Sequence, residues 1–574
     1  MQLRSAAWFE GRLDTTFQHR SSLRAIGHLP ASYVGKPIIG IANSWNDFNN
    51  CNAPHKELVE HVKRGVLLAG GYPMEFHTIS TPADLMKPSD LPYRNLMSMD
   101  VEEMARSLPI DGLVLLCECD KTCPAQLMAA ASLDLPALQL AAGHRGTAYF
   151  RGEVVNYGTD FWRYLDDYKA GLLSEAEWSE LEGCISCTAG GCPVMGTASS
   201  MKSMSEMLGM MLPGTSSIPA THASRIVAAE RTGRRVVDMV QEDLRPSRLM
   251  TEAAFRNAIR LLTALGGSTN AVLHLIAIAG RRGIELPLES FDRLGREVPV
   301  LVNLQPSGPH NMDEFFAAGG LAATIRELLP LLEDDCLTAM GRTVQEVYGE
   351  VAPSCARDVI RGLDEPFKVD AGLVVLRGNL APDGAVLKQS ASSFALQRHT
   401  GPALVFADYE DMIERIDRDD LKVTPDSVLV MKNCGPVGAG FPEWGSIPIP
   451  AKLLRSGVRD MVRISDGRMS GTSYGTCILH TAPESAIGGV LAVVEDGDLI
   501  ELDVERRALE LKVSPDEIVA RLAAWRPPQS PHRRGFFHLY EQEVLQAPLG
   551  CDFNSLRPRD KSEVGLVPPV IGRG

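Results

Sequence analysis

Residues 110–135 read IDGLVLLCECDKTCPAQLMAAASLDL, and their pattern decides the fold. GLVLL (112–116) is a short unbroken apolar run, as expected of a strand covered on both faces in a parallel sheet. CECDKT interrupts it, and Pro124 can open a helix running to Leu133. Upstream, PIIGIA (37–42) is followed by a helical pattern over 55–69 in the same way. This alternation persists over about the first 360 residues and spells βα units, a parallel sheet clothed in helices. Residues 256–279 add a long helical stretch broken at Gly266-Gly267-Ser268.

From about 368 the texture changes. GLVVLR (372–377) and residues 385–387 flank Ala381-Pro382-Asp383-Gly384, which reads as a hairpin. GVLAVV (489–494) and residues 499–502 flank Glu495-Asp496-Gly497-Asp498, which reads as another. Short strands at 427–431 and 460–464 lie between. We therefore expect an α/β domain over 1–367 and a strand-rich domain over 368–574. Its tail, from about 546, would pack on a partner subunit or be disordered.

Of the 574 residues, 45% are hydrophobic and 22% charged, as in globular proteins, and this length exceeds one ordinary core. A net charge of −15 argues against nucleic acid as a partner. No apolar run reaches the about 18 residues of a membrane span, and MQLRSAAWFEGR has no apolar region of a signal peptide. The expected location is the cytoplasm, where the 12 cysteines stay reduced.

Three cysteines recur at matching places. Cys51 follows the strand PIIGIANS and precedes a helix opened by Pro54. Cys119 follows GLVLL, and Cys192 directly precedes Pro193, a candidate first helical residue of PVMGTASSMKSMSEMLGMML. Ligands gather at the carboxyl edge of parallel sheets, and helix N-termini there favour thiolates. Three converging thiols could hold a metal cluster. The rival reading is a structural zinc on Cys117, Cys119, Cys184 and Cys187. Cys117, however, ends an apolar strand and suits the core, as does the Met stripe at 201, 204, 207 and 211.

Cys119 is followed by Asp120 and Lys121, either a salt bridge or, through Asp120, an oxygen ligand for a hard cation such as Mg²⁺. DMVRIS (460–465) runs into DGRMSGTSYG (466–475), whose amides and hydroxyls suit a carboxylate, with Ser470 on the turn; a plain turn reads equally well. No GxGxxG or GxxxxGK[ST] fingerprint occurs, so nucleotide chemistry has no support.

Eight blocks, in order, resemble the dihydroxy-acid and sugar-acid dehydratase family: NSWNDFNNCNAPH (43–55), YRNLMSMDVEEM (93–104), IDGLVLLCECDKTCPA (110–125), CPVMGTASSM (192–201), LGGSTNAVLHLIAIA (265–279), KNCGPVGAGFPE (432–443), SDGRMSGTSYGT (465–476) and PESAIGGVLAVVEDGDLIELDV (483–504). The resemblance implies an α/β N-terminal domain and a barrel-like, β-rich C-terminal domain, acting as a homodimer or homotetramer. It makes Cys51, Cys119 and Cys192 iron–sulfur ligands. Asp120, a carbamylated Lys121 and Glu443 become Mg²⁺ ligands, and Ser470 the base. The sugar-acid branch further implies 2Fe–2S over 4Fe–4S, and dehydration of an aldonate such as L-arabinonate or D-xylonate to the 2-keto-3-deoxy acid. The branched-chain biosynthetic dihydroxy-acid dehydratases are the alternative within the family, and a zinc-stapled binding protein the alternative outside it. One departure stands out. Where relatives carry a further acidic Mg²⁺ ligand, TISTPADLMKPS (78–89) has Ala83, and Asp84 is the nearest carboxylate.

Overall fold

The computed structural model describes residues 3–369, 372–567 and 570–572. Strand β1 (Ile38–Asn43), helix α1 (His55–Leu68), β2 (Tyr72–His77), α2 (Leu91–Ser107), β3 (Gly112–Cys117), α3 (Thr122–Leu133) and β4 (Ala137–Ala141) alternate as the sequence rhythm predicts. The four strands form one parallel sheet in the order β2-β1-β3-β4. Strands β1, β3 and β4 are buried at every residue, which is why they read as unbroken apolar runs. The sheet is clothed by helices that include α4 (Thr197–Met207), α5 (Ala223–Glu242), α6 (Glu252–Ala264) and α7 (Asn270–Arg281). Helices α1 and α5 touch backbone to backbone. A Cβ on Gly65 would fall 2.0 Å from the Glu230 carbonyl oxygen, and one on Gly233 would fall 2.2 Å from that of Val62.

The break at Gly266–Ser268 separates α6 from α7, as expected. The helix expected from Pro193 begins only at Thr197, because 192–196 stay irregular and Gly196 is the N-cap. Cys192 therefore sits on a loop. Met201, Met204, Met207 and Met211 are all buried in the main core.

The C-terminal half holds a closed mixed barrel of β5 (Leu373–Gly378), β6 (Ala381–Lys388), β7 (Arg398–Phe406), β8 (Val428–Met431), β9 (Arg463–Ser465), β10 (Cys477–Ala482), β11 (Leu499–Asp503) and β12 (Ala508–Leu511). Around the barrel they run β8-β9-β10-β6-β5-β12-β11-β7, closing on β8. Closure leaves no open edge, and Val374, Leu376, Val430, Ile464, Ile478, Ile500 and Leu509 fill the interior.

Both expected hairpins need correction. The first turns at Asn379-Leu380, since Gly378 pairs with Ala381, and Ala381–Gly384 lies inside β6. The second does not exist, because Val490–Val493 form a 3₁₀ turn and β11 pairs with β12 and β7. Apolarity marked burial in both places, and a 3₁₀ turn buries such residues as well as a strand does.

Residues 547–565 fold back onto the chain itself. Arg94 donates to the carbonyls of Gly550 and Cys551 at 2.9 and 2.8 Å. Arg281 and Asp552, both wholly buried side chains, form a bidentate pair at 2.5 and 3.0 Å. Breaking such a pair strands a buried charge, so Asp552→Ala should cost about 3–5 kcal/mol in a denaturation experiment. A loss below about 1 kcal/mol would mean that this segment is not part of the folded core.

Candidate active site

Three of the four sheet strands deliver a loop to one cavity at their carboxyl edge. Cys51 comes from the loop after β1, Asp84 and Asp90 from the loop after β2, and Cys119 and Asp120 from the loop after β3. Arg145 follows β4. Cys192 enters from the loop before α4, Thr197 and Ala198 from its first turn, and Glu443, Trp444 and Ser470 from the C-terminal half, around a volume of about 280 Å³.

Hydrogen bonds clamp the cysteine loops together. Asn52 accepts from the Cys119 amide at 3.1 Å, and the Gly190 amide donates to the Asn50 carbonyl at 3.0 Å. Below them Glu118 and Lys202, both buried, pair at 2.5 Å and join the β3 loop to α4. Gly191 is obligatory there, since a Cβ would lie 2.1 Å from the Glu118 carboxylate. The Cys119 thiol is held well above its usual range by a hydrogen bond with Cys51 and by burial. Burial also pushes the Cys192 thiol up, with Arg145 opposing. The Arg145 guanidinium stacks over Tyr157 at 4.9 Å and donates through one nitrogen to Ser186 at 2.6 Å. Its Nε and second terminal nitrogen are buried with no hydrogen-bond partner, beside Cys192, Cys51 and Asp84. Three thiols facing an unsatisfied buried cation form a donor set that fits an anionic metal–thiolate group.

The zinc alternative fails on geometry. Cys117 Sγ lies 3.0 Å from Cys123 Sγ inside the core, Cys119 faces Cys51, Cys184 donates to Leu181 O, and Cys187 to Gly146 O. Among the described residues, no three His, Cys, Asp or Glu side chains are arranged to hold a single ion.

Beside the thiols, the wholly buried Lys121 ammonium sits among three carboxylates, 2.5 Å from Glu443, 2.9 Å from Asp120 and 3.2 Å from Asp90. Burial alone would lower this amine; the three carboxylates overcome it and hold the ammonium above its usual range. Arg468, also buried, reaches Glu443 at 2.6 Å and Asp90 at 3.2 Å. Three carboxylates therefore face two cations, leaving one negative charge uncompensated. Asp90 spans both cations, with Oδ2 toward Lys121 and Oδ1 toward Arg468, and they hold its carboxyl below the usual range against burial. The Lys121 ammonium holds this place, so the three carboxylates do not form an ion site as they stand; their oxygens are the donors that a hard divalent cation takes once that charge is removed.

Asp84 lines the mouth of the same cavity, where burial raises its carboxyl and Arg145 opposes. Sequence reasoning missed Asp90, Arg468 and Arg145. Asp90 precedes the Leu-Pro that opens α2 and reads as an ordinary N-cap; only the fold brings it to Lys121.

Ser470 is placed by a two-residue parallel pairing in which Glu443 and Trp444 lie against Arg468 and Met469. The Ser470 amide donates to the Trp444 carbonyl at 2.8 Å, and its hydroxyl contacts that of Thr472 at 2.8 Å. Gly471 is pressed on Ser268, whose Oγ a Cβ would approach to 2.4 Å. This short pairing thus brings the Glu443 carboxylate and the Ser470 hydroxyl into the same cavity. Its outer wall is aromatic, from Phe161, Trp162 and Trp444, the last stacked on Tyr409 at 3.7 Å.

A parallel-sheet domain and a closed barrel that share a cavity of thiols, carboxylates and a serine define an enzyme architecture. The N-terminal domain of the dihydroxy-acid/6-phosphogluconate dehydratases matches residues 36–347, and their C-terminal domain matches 358–551. The chain belongs to this family, and it is a hydro-lyase. An L-arabinonate dehydratase of Rhizobium leguminosarum bv. trifolii is 47% identical over 98% of both chains. A 6-deoxy-6-sulfo-D-gluconate dehydratase of Pseudomonas putida is 45% identical over 97% of this chain and 96% of its own. A dihydroxy-acid dehydratase of Moorella thermoacetica is more distant, at 40% over 93% of this chain and 97% of its own. The chain thus falls in the sugar-acid branch of a family known for dependence on an iron–sulfur cluster and Mg²⁺. No helix among the described residues is long and apolar enough to cross a membrane.

Proposed function

We propose that this chain dehydrates an aldonate to its 2-keto-3-deoxy acid, with a pentonate such as L-arabinonate or D-xylonate as the first choice. One observation carries the reading: three thiols, a carboxylate cluster and Ser470 line a single cavity. Cys51, Cys119 and Cys192 would hold the cluster, 2Fe–2S by the sugar-acid likeness. Asp90, Asp120, Glu443 and a carbamylated Lys121 would hold Mg²⁺. When bound, the cluster supplies a Lewis acid for the departing C3 hydroxyl, and Mg²⁺ offsets charge gathering on the carboxylate and C2 oxygen.

The residues of the chain do the rest. Carbamylation would turn the Lys121 cation into an anion, leaving Arg468 alone against four negative groups, an imbalance that favours a divalent cation. Asp90 takes the place that Ala83 leaves without a carboxylate, and Asp84 stays at the mouth. Thr197 and Ala198, at a helix start with no side-chain cap, offer amides to an anionic substrate. Ser470 accepts the C2 proton. Trp162 Nε1, buried without a hydrogen-bond partner, offers a donor to a sugar hydroxyl.

The testing experiment is a parallel assay of L-arabinonate, D-xylonate, hexonates and dihydroxyisovalerate. An aldonate should turn over fastest; turnover of dihydroxyisovalerate alone would move the chain to the biosynthetic chemistry. Two variants check details. Asp90→Asn should weaken Mn²⁺ binding, read by electron paramagnetic resonance on Mg²⁺-depleted protein, by at least about tenfold, because affinity follows ligand charge. Asp84→Asn should weaken it less, and the reverse order would return the role to Asp84. Trp162→Phe should raise KM about 3- to 10-fold with kcat little changed, the size of one neutral hydrogen bond; an unchanged KM would remove Trp162 from recognition.

A further inference from the structure

Ser470 borders two cavities. One is the substrate cavity. The other lies behind the turn, has a volume of about 20 Å³, and is lined by Lys388, Thr269, Ser473 and Cys477 together with the Ser470 turn. That is room for about one water molecule. Lys388 is the last residue of β6, and its Nζ is buried without a hydrogen-bond partner. A buried lysine without a partner is costly to keep charged.

The surroundings of this amine are uniform. Lys368 reaches it from the segment before β5, with its own Nζ donating to the Ser390 carbonyl at 2.6 Å. From β10 comes Cys477, whose thiol burial pushes up to about 11. Ser470 and Ser473 on the turn, and Thr269 before α7, present only hydroxyls. Among the described residues no carboxylate pairs with Lys388, and burial, with Lys368 adding, lowers its amine to about 7.

Resting on the reading of Ser470 as the base, we propose that Lys388 accepts the Ser470 hydroxyl proton from behind the turn, making the two residues a serine–lysine pair. The Oγ–H bond breaks, and its proton passes to the Nζ lone pair directly or through one water. Oγ then takes the C2 proton of the substrate. The C2–H electron pair becomes the C2–C3 double bond as the C3–O bond breaks. The Ser470 hydroxyl so formed gives its proton to the departing hydroxide as water, the proton on Nζ returns to Oγ, and the enol tautomerises. No oxidant or reductant is needed. Lys388 is thus a positioning residue for the proton on Ser470, and the turn keeps it out of reach of the substrate.

The test is the kcat pH profile of cluster-loaded enzyme on the aldonate that turns over best. Only the neutral amine can accept a proton, so wild-type activity should rise with pH through a limb near 7 and fall about tenfold per unit below it. Lys388→Met should lower kcat at least about 100-fold and abolish the limb, with KM within about threefold and the visible absorption retained. Lys388→Arg keeps the charge but cannot lose its proton, and should be equally inactive. A wild-type profile without that limb would overturn the proposal, and this result stands even if a variant fails to fold. So would an active Lys388→Arg enzyme with the limb intact. If Ser470→Ala is inactive in that case, Ser470 survives and only its partner is wrong. If Ser470→Ala is active, the underlying reading fails first.

Discussion

Ser470→Ala should lower kcat by about 10³-fold while leaving the visible absorption of the cluster and the melting temperature unchanged. A positioned general base contributes about 10²- to 10⁴-fold, and no other hydroxyl occupies its place. Thr472 is the nearest substitute, 2.8 Å from Ser470 Oγ, but it lies two residues further along the turn. The pairing of Glu443 with Arg468 does not depend on the Ser470 side chain, so the carboxylate cluster should survive the change. Full residual activity would remove Ser470 from the mechanism, and Lys388 with it.

The second large effect concerns the thiols. Cys51→Ser should abolish the visible absorption and all turnover, because two sulfurs cannot retain the group that three would hold. Folding should persist. The Cys51 loop is anchored by Asn52, which accepts from the Cys119 amide and donates to the Ser44 carbonyl, and by Ser44, which donates to the Leu116 carbonyl. None of these bonds uses the thiol. An unchanged spectrum would place the chromophore elsewhere, whereas loss of the fold would make Cys51 structural.

Much of this arrangement was legible from residue order. Apolar runs buried on both faces marked β1 and β3, and the loops following them named Cys51 and Cys119 without any structure. Asp120 was a candidate oxygen ligand from its place beside Cys119, whereas the roles of Lys121, Glu443 and Ser470 came from block resemblance, since nothing in spacing joins residues more than 300 positions apart. What escaped was set by packing. Asp90 was hidden because an acidic residue before a helix is common, and its use depends on Lys121 and Arg468 arriving from two other segments. Lys388 ends an apolar strand and gives no sign that its amine lacks a partner. The misplaced hairpin at 489–502 has a similar cause: burial leaves the same apolar imprint on a 3₁₀ turn as on a strand.

The most direct test of the central claim is iron, sulfide and zinc analysis of anaerobically purified protein, read beside its visible spectrum. The expected result is about two iron and two sulfide per chain with no stoichiometric zinc, and a spectrum lost in Cys51→Ser. Stoichiometric zinc without iron or sulfide would contradict it.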